Sequence, residues 1–439
     1  DGRPSKMRYF RGTMHHDAAT RRVHHGWAMY DWANSSYSLV IGTAIFPIYY
    51  SAVMEAAGRE SYRLFGVEFS TTAAYTFVMA AAYLVVSLGT PYLSALAEVS
   101  GSKKTFMRRF IYSGSLTCFA MYFFTADAPV LGLLTPFVAS IAFAGSLVFY
   151  NSYLPEIAAP EDQDALSARG FALGYFGSAL MLIVALALIQ NPGWLGLDGP
   201  GLITRYTFVA VGIWWLGWGE YSLRRLPEGH AVGNRQKGWI RAAYQQLFDV
   251  AKSFRATKGL ERFVLGFFFA SAGVQTVILI ATLFGSEALH LETSSLITTI
   301  LLIQFVGMLG SWFFAKLSGI MGNIRALLVS AALWMLISFL AYFIQNELQF
   351  YLLGAGVGLV LGGIQSLARS TFSQLLPPAE EHVVYFSFFD VAEKLATVLG
   401  MVAVGWLETL TGDLRLAAVM LSGFFAVAVV LWARVPWQR

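Results

Sequence analysis

Apolar runs near the ~20 residues that a helix needs to cross a bilayer recur along the whole chain, and no other feature limits the fold as strongly. Bounded by charges, Gly or Pro, they give twelve spans, at approximately 28–54, 72–97, 106–126, 130–151, 168–190, 204–223, 261–285, 294–316, 325–344, 349–369, 384–407 and 414–434. The 439 residues are 56% hydrophobic and only 13% charged, with a mean hydropathy of +0.58, too few charges to clothe a soluble surface of that size. The runs are continuous rather than alternating, which excludes a β-barrel. The expectation is an all-α polytopic membrane protein.

Basic residues organise the rest. Residues 1–27 carry Arg3, Lys6, Arg8, Arg11, Arg21 and Arg22 with no apolar segment ahead of the first span, so they read as a basic cytoplasmic tail rather than a cleavable signal. The tail histidines His15, His16, His24 and His25 have no carboxylate or thiol framework around them, and no metal site or cofactor is expected. The single cysteine, Cys118, lies within an apolar run and reads as a small buried residue. Residues 28–223 form a first six-helix bundle and 261–439 a second. The connection 224–260 is basic and holds an amphipathic helix, with Trp239, Ile240, Tyr244, Leu247, Phe248, Ala251 and Phe254 as its apolar stripe, lying on the inner membrane surface. Lysines and arginines concentrate in the tail, this linker and the turn with Lys103, Lys104, Arg108 and Arg109, which places both termini inside. The membrane is then the cell (inner) membrane, or a vacuolar one in a eukaryote.

The halves repeat. The turn SALAEVSGSKK from Ser94 aligns with AKLSGIMGNIR from Ala315, matching Gly101 to Gly322 and Lys104 to Arg325. Pro160-Glu161-Asp162 aligns with Pro378-Ala379-Glu380 at nearly the same offset, close to half the chain, as a duplicated unit requires.

Chemistry-bearing groups sit where lipid would not tolerate them. In span 1, Asp31, Asn34, Ser35 and Ser38 fall at i, i+3, i+4 and i+7, one polar stripe on an apolar rod. In span 11, Asp390, Glu393, Lys394 and Thr397 share a face in the same way, with Lys394 about 13 Å into a core of about 30 Å. Intramembrane charges face protein or a water-filled cavity, so both stripes are candidate walls of a solute pathway, although an internal salt bridge would also explain span 11. Gln275, Gln304 and Gln365 fall on spans that would line the same cavity, with interhelical hydrogen bonding as the plainer role for the first two. The expected solute ligands are Asn34, Ser35, Ser38, Gln275, Gln304, Gln365, Asp390, Glu393 and Lys394. Asp31, Glu98, Arg169 and Arg369 are expected to gate or to couple protons, with Asp31 first for the proton and the two arginines at the entrances of the two halves.

Six plus six helices with a Gly and basic residues in corresponding turns resembles the major facilitator superfamily. Its signature turn usually carries Asp where Glu98 and Gly319 stand here, so only the first of these turns is expected to latch the cytoplasmic side. YDWANSSYS from Tyr30, FYNSYLPEIA from Phe149, SARGFALGYFGS from Ser167, GGIQSLARSTFSQLLPP from Gly362 and FFDVAEK from Phe388 look like the vacuole-effluxer branch, which includes autophagy-related vacuolar amino-acid effluxers. The compact loops resemble its bacterial members. The resemblance implies a secondary active transporter of small organic solutes, with amino acids as the default. The mixed lining of Asp31, Asp390, Glu393, Lys394 and Arg369 suits a zwitterion or anion moved by alternating access, with proton coupling expected through Asp31. A larger amphiphile, such as a cell-wall- or lipid-derived molecule, is the rival within the class, and a non-transporting receptor or scaffold is the rival outside it. An enzyme is not expected: neither HExxH nor GxSxG occurs. The expected partners are the small-molecule substrate and membrane lipids around a monomer, with no nucleic acid.

Overall fold

A computed structural model describes residues 17–59, 61–64, 67–196, 199–228, 239–377, 382–411 and 413–436. The tail residues His15 and His16 lie outside them, as do the side chains of Trp239 and Ile240. The helices are α1 (Ala18–Ser36), α2 (Phe46–Ala56), α3 (Thr71–Ser100), α4 (Lys103–Ala120), α5 (Pro129–Ser152), α6 (Leu154–Ile157), α7 (Pro160–Gln190), α8 (Pro200–Leu223), α9 (Trp239–Ala256), α10 (Lys258–Leu283), α11 (Thr293–Met321), α12 (Asn323–Leu340), α13 (Glu347–Leu375), α14 (Val383–Thr411) and α15 (Leu414–Trp432). Among the described residues, nine helical segments are long and apolar enough to cross a membrane. The exposed side chains fit that setting: Leu88, Leu309, Leu352 and Val402 are each more than half exposed, a surface suited to lipid and not to water.

Span 1 is not one straight rod. A π-helical stretch, Tyr37–Ala44, follows α1, and the Ile45 N–H donates to the Val40 carbonyl at 2.8 Å, one residue beyond α-helical spacing. Pro47, in the first turn of α2, has no N–H to continue the ladder, which gives the break its cause. Polar Ser38 lies inside the π-helical stretch, a kind of irregularity that gathers at functional sites. The helix also begins earlier than the expected tail boundary at 27. The His24 ring nitrogen Nε2 is 2.7 Å from the Ile157 carbonyl and the Trp27 indole donates to the Tyr150 carbonyl at 3.0 Å, so the last ten residues assigned to the tail are helical and the final turn, from His24 to Trp27, is held against the bundle. A short antiparallel hairpin, β1 (Ser61–Leu64) with β2 (Val67–Ser70), fills the connection between α2 and α3.

Both glycines of the repeated turns take positive φ, 61° at Gly101 and 85° at Gly322, which only Gly adopts without strain, so the alignment has a backbone reason. Two large cores form. One is built mainly from α1–α8, around Trp27, Phe46, Phe124, Phe149 and Trp215. The other is built mainly from α9–α15, around Phe263, Phe314, Trp334, Phe372 and Trp432. Between them, α7 packs on α11 and α13, and α14 packs on α3 and α5. The backbones of α11 and α13 nearly touch: a Cβ on Gly362 would stand 2.0 Å from the Gly307 carbonyl oxygen, so no side chain fits there.

Candidate functional site

The first polar cluster joins the two cores. Arg369 of α13 donates through Nη1 to Asp31 Oδ2 of α1 at 3.0 Å, and both side chains are buried, 4% and 7% exposed. The Tyr150 hydroxyl donates to the same carboxylate oxygen at 2.9 Å. The rest of the guanidinium fork is used as well: Nε donates to Ser167 Oγ at 2.9 Å, Nη2 to the Ser167 carbonyl at 2.8 Å and Nη1 to Asn151 Oδ1 at 3.4 Å. Its plane lies 4.2 Å from the Phe171 ring and 4.7 Å from the Trp27 ring, an aromatic setting that Arg fills better than Lys. The close approach of α7 to α1 depends on Gly170, where a Cβ would stand 2.4 Å from Asp31 Oδ2, and Gly174, where it would stand 2.5 Å from Ser35 Oγ. Arg369 thus ties α13 to α1, α5 and α7 at once.

Arg169 does not join it. The expectation of matched arginines at two entrances fails, because Arg169 is exposed and its Nη2 lies 3.1 Å from the His25 ring. One residue of helical rotation explains the difference: Ser167 and Gly170 face α13 and α1, which turns position 169 outward.

The second cluster lies on α14. Lys394 Nζ is 3.3 Å from Asp390 Oδ1 and 3.1 Å from Glu393 Oε2, and Gln275 of α10 donates to Glu393 Oε1 at 2.7 Å. Tyr83 of α3 presents its ring 5.9 Å from the ammonium. Formally this group has two carboxylates for one ammonium, and the buried Asp390 Oδ2 has no hydrogen-bond donor among the described residues. Asp31, by contrast, is matched one-to-one by Arg369. The internal salt bridge left open for α14 is present between Asp390 and Lys394, and Gln275 makes the interhelical hydrogen bond that was its plainer expected role.

The remaining predicted ligands are more scattered. Gln365 Oε1 accepts from the Tyr175 hydroxyl at 2.7 Å, another link between α13 and α7. Asn34 is buried with its Nδ2 lacking an acceptor among the described residues, while Ser35 faces α7 and the Ser38 carbonyl accepts from Thr43 Oγ1 at 3.0 Å. Gln304 is half-buried on α11.

Two latches close the end of the bundle that carries α9. At the first, Glu98 at the end of α3 accepts the Val384 N–H through Oε1 at 2.8 Å, capping α14, and accepts from Gln246 of α9 through Oε2 at 3.1 Å. A carboxylate at a helix N-terminus satisfies an orphan amide and favours the dipole. The second latch was not expected, since Gly319 has no side chain. The acid comes from the opposite partner: Asp164 of α7 accepts from Ser318 at 2.9 Å, Asn323 at 2.7 Å and Gln374 at 2.9 Å.

A helical membrane bundle whose buried ions pair across two packed cores is the arrangement of a solute carrier, and the comparisons agree. The structure of the major facilitator superfamily proton:xylose symporter XylE superposes with a TM-score of 0.71 at 12% identity, covering 95% of this chain and 96% of that one, which shows the major facilitator fold. The chain belongs to the vacuole effluxer Atg22-like family, whose model matches residues 19–439. It is 29% identical over 414 residues to the uncharacterized MFS-type transporter YxiO of Bacillus subtilis (strain 168), covering 93% of this chain and 94% of that protein. It is 24% identical over 469 residues to autophagy-related protein 22 of Yarrowia lipolytica (strain CLIB 122 / E 150), covering 86% of this chain and 78% of that protein. Its relatives are transporters, not enzymes.

Proposed function

We propose that the protein is a secondary active transporter of a small zwitterionic solute, an amino acid or close analogue, working by alternating access in the cell membrane. Twelve spans form two six-helix halves, 28–223 and 261–439, that rock about the interface between the two cores, with both termini and α9 on the cytoplasmic side. The observation that carries this reading is the buried Arg369–Asp31 pair across the two cores, together with a second buried charge cluster on α14. Lys103, Lys104, Arg108, Arg224 and Arg225 cluster at the α9 end, as the inner side of a membrane protein would have them. A zwitterion suits the polar groups: Asp390 and Glu393 for an ammonium, Lys394 and the Asn34 amide for a carboxylate, with Ser35, Ser38, Gln275, Gln304 and Gln365 as further ligands. The description of the family as vacuole effluxers favours export from a compartment, and amino acids follow from the resemblance.

By sequence, Asp31 is the first candidate for proton coupling. Its one-to-one pairing with Arg369 and its bond from Tyr150 favour a gating role instead, which moves proton carriage to Asp390, the carboxylate with an uncommitted buried oxygen. A thermal-shift screen of purified protein against amino acids, peptides, sugars and cell-wall fragments identifies the ligand, since binding to the folded state raises its melting temperature. Counterflow of that ligand in proteoliposomes then tests transport. A protein that binds the ligand but exchanges none under any gradient is a receptor or scaffold, and the reading fails.

A further inference from the structure

Helix α9 was expected to turn a single apolar stripe to the membrane, and the structure divides that stripe between two faces. Leu247, Val250 and Phe254 turn inward and pack on the second core. From the same inner face, Gln246 donates to Glu98, and Ser253 Oγ lies 3.0 Å from the Tyr385 hydroxyl of α14. The opposite face holds Arg241, Tyr244, Gln245, Phe248 and Lys252, all exposed, at i, i+3, i+4, i+7 and i+11. Phe248 is 74% exposed and Tyr244 52%, the Tyr244 ring resting at one edge of the face on Tyr92 of α3, with 5.5 Å between ring centroids. Asp249, also exposed, lies on the flank of this face. Two aromatic side chains between two cations are costly in water. They fit the boundary between headgroups and acyl chains, where rings insert and basic residues meet phosphates.

We propose that the outer face of α9 docks on an anionic lipid leaflet, and that lipid held there stabilises closure of the α9 end through Glu98. Charge selects the lipid: Arg241 and Lys252 flank the aromatic pair, and a zwitterionic headgroup offers them no net attraction. The coupling follows from position. The helix that meets lipid on one face supplies, on the other, the amide that holds Glu98 Oε2, and Glu98 Oε1 in turn holds the Val384 N–H in the first turn of α14. Lipid that orders α9 therefore orders the latch, and a leaflet poor in anionic lipid leaves the latch easier to open. The proposal rests on the reading of the chain as a membrane transporter, but its readout needs no substrate and no assignment of sidedness.

The test is hydrogen–deuterium exchange of the full chain in nanodiscs of phosphatidylcholine alone and of phosphatidylcholine with 30% phosphatidylglycerol. Each basic residue near an anionic surface is worth about fivefold in equilibrium, so the two together set an expected slowing of up to about 25-fold for α9 amides in the anionic discs. The peptide containing Val384 should slow with them. Arg241→Glu with Lys252→Glu, and separately the milder Arg241→Gln with Lys252→Gln, should abolish the difference, with elution as a single folded species confirmed in detergent. High salt should also abolish it, because these contacts are screened over roughly 10 Å at 0.1 M. Equal exchange in both lipids overturns the docking. Slowing of α9 without slowing at Val384 overturns the coupling to the latch. Absence of counterflow in the transport assay, with the lipid difference intact, counts against the transporter reading and leaves this proposal standing.

Discussion

Replacing Arg369 with Met should open the α9 end of the bundle. Met keeps the stem that packs near Phe171 and Trp27 but removes the guanidinium, so Asp31 loses its only ionic partner among the described residues and Ser167 and Asn151 lose their donors. Both members of the pair are nearly fully buried, and breaking such a pair by deleting one partner costs about 3–5 kcal/mol, mostly the penalty of the charge left behind. The pair bridges the two cores, so this cost falls on the closed arrangement and not on one in which α13 has moved away and water reaches Asp31. At about 1.4 kcal/mol per factor of ten, the closed population drops by two to nearly four powers of ten. Electron–electron resonance between spin labels at Thr105→Cys, in the first turn of α4, and Ile320→Cys, in the last turn of α11, reads the separation directly. The native Cys118 is buried and adds little background. Asp31→Asn alone should shift the distribution less, because Arg369 keeps its bonds to Ser167. The double variant Asp31→Asn/Arg369→Met should be less open than Arg369→Met alone, since no charge is stranded. A folded Arg369→Met protein with the parental distance distribution refutes the reasoning.

Glu98→Ala removes the cap on Val384, and at about 0.5–2 kcal/mol for a lost cap the Val384 amide should exchange several-fold faster, measured by hydrogen exchange. Asp164→Ala should open the same end in the spin-label assay by taking the shared acceptor from Ser318, Asn323 and Gln374. Gly362→Ala drives a methyl into the backbone of α11 and should lower the melting temperature in detergent, whereas Gly319→Ala, with nothing within 4 Å, should not. Asp390→Asn should abolish stimulation of uptake by an imposed pH gradient, while counterflow of the same solute, weakened by the loss of an ammonium ligand, remains measurable. Unchanged stimulation would return proton carriage to another group.

The helices were legible because hydropathy over about twenty residues is a local property, and the apolar runs fall on α1–α5, α7, α8 and α10–α15. The pairing of Lys394 with Asp390 and Glu393 was legible for the same reason, since all three lie within two turns. Arg369 with Asp31 was not, because the residues are 338 positions apart and nothing local says which arginine turns inward. Arg169 and Arg369 look alike in the sequence, and only the packing of Ser167 and Gly170 separates them. Asp164 is one of three carboxylates in the first turns of α7, and nothing local sets it apart from Glu161 and Asp162. Its signal was the loss of a carboxylate at Gly319, which left a latch to be completed from the other side, and Asn323 just after the turn glycine was the available donor.

On the proposed reading, gate and solute chemistry use different residues. Glu98, Asp164 and Arg369 each bind across the cores at the α9 end, and their partners are amides, hydroxyls, one backbone N–H, one backbone carbonyl and one matched carboxylate. The α14 cluster sets two carboxylates against one ammonium, an excess of one formal negative charge held among Gln275, Tyr83 and its own side chains. A solute or proton that brings one positive charge completes that cluster without touching the latches. Variants at the α9 end should therefore change how often the transporter is open while leaving its preference among cationic, zwitterionic and anionic solutes intact. Neutralising Asp390 or Glu393 should do the reverse, changing charge preference while the spin-label distances stay parental.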